Sequence, residues 1–462
     1  MSSSFQQVPQ TYNSLLGEED IPSSLLPGKQ SRMVPCTTSL KSVRTGSAAA
    51  TPSSTSLFQI NTGAGAGYLK PNSVYLTGQL VLSIPVVGAA PSWRFSGPQQ
   101  SGAVGGVGLG DNTGVHSASS MISRVTVSNG SQQLSQIQSY NVYHDILTAH
   151  AASTTYTAID GSIYEFAGVV RSLTAAGATA NELTMFFAIP LLSPVWSGDQ
   201  SVPLYLLNSP LTVEVLTNSI ADAFVTNNAA ITNYTLNNLQ ICYEEIQVSA
   251  DLKNAVMERL RQGQVWRQFM NQVYVINTSA ESGNAFNIGL GVSSLKGIVW
   301  ADRQPSAGRV SAFAQTGDLI LNGFSNCRFN VDGRNINQFD LTDDTKVYSE
   351  LNRALATMHD SNHTSLMTKN YGPAIGNSPW YDFNLNRFAV GCSTNAVNDY
   401  SVGFSGCPCQ MATIQHFNNS VASIPQFPYV PEAFIAGAQR IYALLYDELL
   451  TIDANGVCSL IR

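Results

Sequence analysis

The sequence predicts a mainly β chain built from two similar sandwich domains in tandem, and three observations carry that expectation. Short apolar runs broken by Gly, Pro, Asn and Ser recur from Tyr68 onward, the punctuation of strands and turns. A set of short motifs returns in the same order about one domain length later, as duplicated units do. The length of 462 residues also exceeds the roughly 250–300 residues at which a single core stops growing.

The elements follow in chain order. Residues 1–54 are rich in Ser, Thr, Pro and Gln, with isolated Lys29, Arg32, Lys41 and Arg44, and read as a flexible N-terminal arm with little core of its own. The first domain is expected over 55–250, a linker helix over 251–266 and the second domain over 267–462. Val74 to Ile84 reads as one strand and Leu183 to Ile189 as another. Leu211 to Leu216 alternates apolar and polar residues, as a half-buried strand should.

The repeat begins at Arg124-Val-Thr-Val-Ser-Asn-Gly130, where an apolar alternation runs into Asn-Gly, and Gln136 follows. Arg328-Phe-Asn-Val-Asp-Gly333 does the same with Asp-Gly, and Gln338 follows. Both dipeptides tolerate the positive φ that tight hairpins need. A helix-like stretch comes next in each half, Tyr143-His-Asp-Ile146 and Tyr348-Ser-Glu-Leu351, and each half ends on a strand with Tyr243-Glu-Glu-Ile246 or Tyr446-Asp-Glu-Leu449. Arg124 to Arg328, Tyr143 to Tyr348 and Tyr243 to Tyr446 are shifts of 204, 205 and 203 residues. Between the halves, Ser249 to Gly263 reads as a helix. Leu252, Val256 and Leu260 share one face, Asp251 lies in the first turn and Gly263 suits the C-terminal cap.

Composition narrows the function. Charged residues are only 11% of the chain against 44% hydrophobic, so repulsion between copies is weak; this suits dense self-packing and a secreted β-protein alike. The net charge of −7 opposes a main role in gripping nucleic acid, which asks for a basic face. No run of 18 apolar residues occurs, so no membrane-spanning helix is expected. Met1 to Pro27 carries Glu18, Glu19 and Asp20 and no basic residue ahead of an apolar run, unlike a signal peptide; synthesis in the cytosol or nucleus is expected. Seven scattered cysteines (Cys36, Cys242, Cys327, Cys392, Cys407, Cys409, Cys458) do not form the dense framework of a disulfide scaffold.

Candidate chemistry is thin, and no catalytic, cofactor-binding or metal-binding residue is assigned. Gly105 to Gly110 is glycine-rich but is followed by Asp111-Asn-Thr-Gly where a dinucleotide fingerprint needs a helix. His359 and His363 have i, i+4 spacing but no Glu beside the first His, so the zinc-protease motif fails. His144 and His150 read as packing or capping residues, and Cys407-Pro-Cys409 as buried or incidental thiols. Glu244/Glu245 and Asp447/Glu448 are adjacent on strands, so their side chains face opposite ways instead of converging as a glycosidase pair. Asp343/Asp344 read as a helix cap. The sequons at Asn129, Asn233, Asn277, Asn362 and Asn418 follow from composition alone. Trp93, Trp196, Trp266, Trp300 and Trp380 are candidates both for interface anchors and for the core.

A strand-rich unit with a helix inserted after an early hairpin fits a jelly roll of about eight strands. Several stretches carry a further likeness: Phe187-Ala-Ile-Pro-Leu191, Val202 to Leu211, Tyr234 to Glu244, Asn287 to Ile298 and Leu444 to Gly456. In their order they resemble the double jelly-roll major capsid proteins of the tectivirus–adenovirus–giant DNA virus lineage, with its virophage and polinton-like relatives. The likeness covers about residues 60–462. It implies two tandem eight-stranded rolls and pseudo-hexagonal homotrimers that tile an icosahedral shell around a genome. It also implies contacts with penton and minor capsid proteins and an arm that touches neighbours or an internal membrane. Pro91–Ser117 and Gly372–Gln410 become candidates for outer towers or for intersubunit contacts. A two-sandwich carbohydrate-binding or carbohydrate-cleaving protein is the rival reading, and a spike or minor virion protein of the same fold is a third.

Overall fold

The computed structural model describes residues 36–47, 49–83, 92–97, 117–151, 171–172, 182–198, 200–226, 231–281, 285–303, 319–337, 339–355, 388–396, 403–418 and 437–462. The first half contains β1 (Cys36–Arg44), β2 (Thr55–Ile60), β3 (Tyr75–Ser83), β4 (Ile122–Asn129), β5 (Gln132–Gln138), helix α1 (Tyr140–His150), β6 (Glu182–Pro190), β7 (Leu211–Thr217) and β8 (Asn233–Val248). One sheet runs β1-β8-β3-β6 and the other β2-β7-β4-β5, every pair antiparallel. These eight strands in two sheets make the first jelly roll. Burial alternates strictly along β2, β3 and β7, so one face of each sheet closes on the core.

Helix α2 (Ala250–Arg261) leads into the second half. Its start is capped by Ser249, whose hydroxyl accepts from Leu252 N, and it ends before Gly263 at φ +90°. There follow β9 (Trp266–Ser279), β10 (Ala285–Arg303), β11 (Phe324–Val331), β12 (Arg334–Asn335), α3 (Asp344–Ala354), β13 (Val390–Ser393), β14 (Cys407–Asn418) and β15 (Gln439–Ile452). The pairing repeats the first roll with one change. β9-β15-β10-β13 corresponds to the first sheet and β10-β14-β11-β12 to the second. A single 19-residue strand, β10, thus fills the places that β2 and β3 hold in the first roll. Its N-terminal part pairs with β14 and its C-terminal part with β15 and β13, across register shifts between Gly289 and Gly297. Bulges and glycines let a strand turn a sandwich corner without breaking. Among the described residues of this roll, eight strand positions are therefore filled by seven continuous strands, beside which the short strands Leu319–Ile320 and Cys458–Ile461 pair with β10 and β15.

The repeat is visible in the local geometry. Both hairpins close on two-residue loops: Gly130 has φ +57°, while Asp332 and Gly333 have +49° and +80°, the double positive φ of a type I′ turn. The following helices α1 and α3 are 11 residues each. One buried apolar cluster spans both rolls, from Phe58 and Leu80 to Trp300 and Leu450.

Two expectations need correction. Strand β1 lies inside the stretch 1–54 read as an arm: it pairs with β8 from Cys36↔Val248 to Arg44↔Gln240. Its residues are mostly exposed, so backbone pairing on a sheet edge holds it, and a polar sequence hides such a strand. The supposed tower Gly372–Gln410 includes the buried strand β13 and the start of β14, while Pro91–Ser117 includes the strand Ser92–Phe95. Residues 1–35, 98–116, 372–387 and 397–402 lie outside the described residues. Among the described residues no helix is long and apolar enough to cross a membrane.

Candidate functional site

Two features have functional weight: the seam that joins the rolls, and a set of buried charges inside the second roll. At the seam, Gln268 Nε2 donates to Val195 O at 3.0 Å. Gln272 Nε2 donates to Leu134 O and to Glu448 Oε2, both at 2.7 Å. Arg303 is 2% exposed and donates to Ser96 Oγ at 2.8 Å and to Asp222 O at 3.2 Å. The turn after β15 presses on the first roll at Gly456, where an added Cβ would lie 2.3 Å from Leu206 O. These bonds satisfy buried polar groups that apolar packing alone would strand.

In the second roll, Asp447 and Lys296 are buried partners, Nζ to Oδ1 2.8 Å. Asp447 Oδ2 accepts from Ser294 Oγ at 2.7 Å and from Phe404 N at 2.6 Å. Lys296 Nζ also donates to Asn271 Oδ1 at 3.1 Å. A second buried pair, Arg440 with Asp302, is further held by Asn322 Nδ2 on Asp302 at 2.7 Å and by the Trp300 ring, 4.8 Å from the guanidinium. Sequence reading flagged none of Asn271, Lys296, Asp302 and Arg440. The usable signal was a charge set within an apolar strand run, as in Leu295-Lys-Gly-Ile-Val-Trp300 and Arg440-Ile-Tyr-Ala-Leu.

The flagged residues take structural places. Glu244 faces outward and pairs with Lys70 at 2.6 Å, while Glu245 turns inward and accepts from Gly67 N at 2.6 Å. Glu448 bonds Gln272 and, at 2.7 Å, Arg462. Neither acidic pair converges on a shared space. Asp343 caps α3 by accepting from Lys346 N at 2.9 Å.

His144 is buried, its Nδ1 3.0 Å from Ser119 Oγ, and burial pushes its pKa down to about 4. His416 shares a 2.7 Å hydrogen bond with Tyr442 OH, and burial, with the Arg440 charge beside it, holds its pKa well below the usual value. Cys409 is buried and its thiol is pushed up to about 12 by that burial, so it resists ionisation. Cys407 is half-buried and is shifted up for the same reason. Among the described residues no group of three or more His, Cys, Asp or Glu is arranged to hold a metal ion.

Trp196 and Trp300 are core residues at 1% and 0% exposure, which removes them as surface anchors, and Trp266 is half-buried against Tyr68. Asn129 is also buried and bonded to Ser209 O, so it cannot accept a glycan. Gly105 to Gly110, His116, His359, His363, Asn362, Trp380 and the Trp93 side chain lie outside the described residues.

Several exposed apolar side chains lie on sheet edges. Leu40 on β1, Leu57 on β2 and Phe186 on β6 are 64%, 54% and 74% exposed. Each sits on an outer strand of its sheet, where unpaired backbone groups also face out. Tyr274 on the edge strand β9 is 42% exposed.

No protein-family model and no curated protein sequence matches the chain. Solved structures do. The fold is similar to PBCV-1 VP54, as fitted into a cryo-EM reconstruction of the virophage Sputnik: TM-score 0.57, 13% identity, 94% of this chain and 99% of that one covered. A chain of the PBCV-1 virus capsid gives 0.55 at 12% identity, covering 93% and 98%. The Faustovirus major capsid protein gives 0.52 at 7% identity, covering 92% of both. At such identities the likeness concerns the fold, which is the double jelly roll.

Proposed function

We propose that this chain is a viral major capsid protein whose work is self-assembly. One observation carries the reading: the tandem rolls match chains of virus capsids over 92–94% of this chain and 92–99% of theirs. The buried acids and histidines serve packing and the seam, which agrees with a structural role. The division into a first roll ending near residue 250 and a second beginning at β9 belongs to the same reading. So does a homotrimer, in which two non-identical rolls per chain give a ring of near-sixfold outline and distinct head and tail patches. Penton and minor capsid proteins would bind the rim of that ring. The residues ahead of β1 would reach neighbouring copies or an internal membrane.

The test is solution mass together with electron microscopy of the purified chain. The proposal expects particles of about 150 kDa, three times the 49.5 kDa chain, with a hexagonal outline. A monomer that assembles under no salt or pH condition and instead binds glycans would overturn it in favour of the carbohydrate reading.

A further inference from the structure

We infer that Lys296 and Asn271 form an intramolecular isopeptide bond, with Asp447 as the base that drives it. Three adjacent antiparallel strands present the groups: Asn271 on β9, Asp447 on β15 and Lys296 on β10. Asn271 and Asp447 are direct cross-strand partners, so their side chains share a face. Lys296 is the extra residue of a bulge, since Leu295 pairs with Tyr446 and Gly297 with Leu445. Such a bulge re-aims one side chain, and here Nζ reaches over Asp447 to the Asn271 carboxamide.

The distances suit the reaction. Nζ is 2.8 Å from Asp447 Oδ1 and 3.1 Å from Asn271 Oδ1, and the electrophilic Cγ lies one C=O bond, about 1.2 Å, behind that oxygen. Nζ therefore lies about 3.3–4.3 Å from Cγ, depending on the approach angle, and a rotation of the Asn271 carboxamide brings the two to a near-attack geometry. Lys296 is 0% and Asp447 1% exposed. The segment Gly403–Gly406 covers them, through Phe404 N on Asp447 and Gly406 N on Ser294 Oγ at 2.9 Å. Ser294 and Phe404 fix the carboxylate through its other oxygen, leaving Oδ1 to the lysine. Asn271 itself is exposed, so this cover lies over Lys296 and Asp447.

The step balances without any other reagent. Asp447 takes a proton from the Lys296 ammonium, and the freed amine attacks Asn271 Cγ. The Nζ–Cγ bond forms and the Cγ–Nδ2 bond breaks. Both protons shed by Nζ pass to Nδ2, which leaves as ammonium, and Asp447 ends as the carboxylate it began as. The product ties β9 to β10 across β15 and covalently closes the corner where β10 passes between sheets.

Intact mass spectrometry of the full chain tests this directly, followed by tandem analysis of a tryptic digest. The expected result is a mass lower than the sequence mass by one ammonia, with a branched peptide joining the Asn271 and Lys296 segments and no cleavage after Lys296. Lys296→Arg and Asn271→Ala should restore the sequence mass of each variant, whereas Asn271→Asp should lose one water instead. The unlinked sequence mass in the folded native chain overturns the inference. So does an ammonia deficit that maps elsewhere, such as a succinimide at another Asn. The mass of the native protein is decisive by itself, so the test does not depend on every variant folding.

Discussion

Arg440 and Asp302 are direct cross-strand partners on β15 and β10, joined by two parallel hydrogen bonds, Nε to Oδ1 at 2.6 Å and Nη2 to Oδ2 at 2.7 Å. They are 1% and 0% exposed, so each charge depends on the other. Removing one partner strands a buried charge, which costs about 3–5 kcal/mol, whereas replacing both with apolar residues of similar volume can be neutral. Asp302→Ala should therefore lower the denaturant midpoint strongly. The double change Arg440→Met with Asp302→Leu should lie closer to the native protein than Asp302→Ala does. A double change worse than the single one would show that the pair adds net stability.

The buried histidines set an acid limit. His144 has its folded-state pKa lowered from 6.5 to about 4 by burial. Between these values the unfolded chain binds a proton that the folded one refuses. Stability is therefore full above about pH 6.5 and declines as pH falls toward 4, by roughly 3 kcal/mol from this group at one pKa unit per 1.4 kcal/mol. His416 is shifted in the same direction. His144→Gln, which keeps a polar partner for Ser119, should flatten the fall. Thermal melts from pH 7 to 4 measure the slope, and an unchanged slope would assign the acid sensitivity to other groups.

How much was legible in the sequence depended on whether the signal was local. Alternation from Leu211 to Leu216 and the Asp332-Gly333 turn are properties of neighbouring residues, so the strands and the repeat could be read directly. The linker helix announced itself through Ser249, Leu252, Val256, Leu260 and Gly263. Strand β1 had no such signal, because Thr37, Ser39 and Lys41 are held by backbone pairing to β8 and not by a buried face. The grouping around Lys296, buried at Lys296 and Asp447 and exposed at Asn271, could not be read as a set. Asn271, Lys296 and Asp447 lie far apart in sequence, and only sheet pairing brings them together.

Gly456 tests the seam. Its φ of +74° and its approach to Leu206 O leave no room for a side chain. Gly456→Ala combines left-handed backbone strain, about 1–3 kcal/mol, with a backbone clash that pushes the last turn off the first roll. The expected outcome is faster proteolysis at the roll junction and a melting transition that splits in two. A single transition at the native temperature would mean that the turn relaxes without disturbing the seam.

Phe186 separates assembly from folding. At 74% exposure its ring contributes little to the core, and surface changes of this kind usually move stability by less than about 0.5 kcal/mol. Its neighbours Met185 and Phe187 point inward at 7% and 4% exposure and should hold β6 in place without it. On the free edge of a sheet the ring lies beside unpaired backbone groups that offer a second chain a place to dock. On the proposed capsid reading that second chain is a neighbouring copy. Phe186→Asp should leave the melting temperature of the isolated chain within a few degrees while reducing the assembled fraction seen by microscopy and mass. Leu57→Asp, on the edge of the other sheet, maps the second face in the same way. If both variants assemble as the native chain does, the contacts between copies lie elsewhere on the rolls.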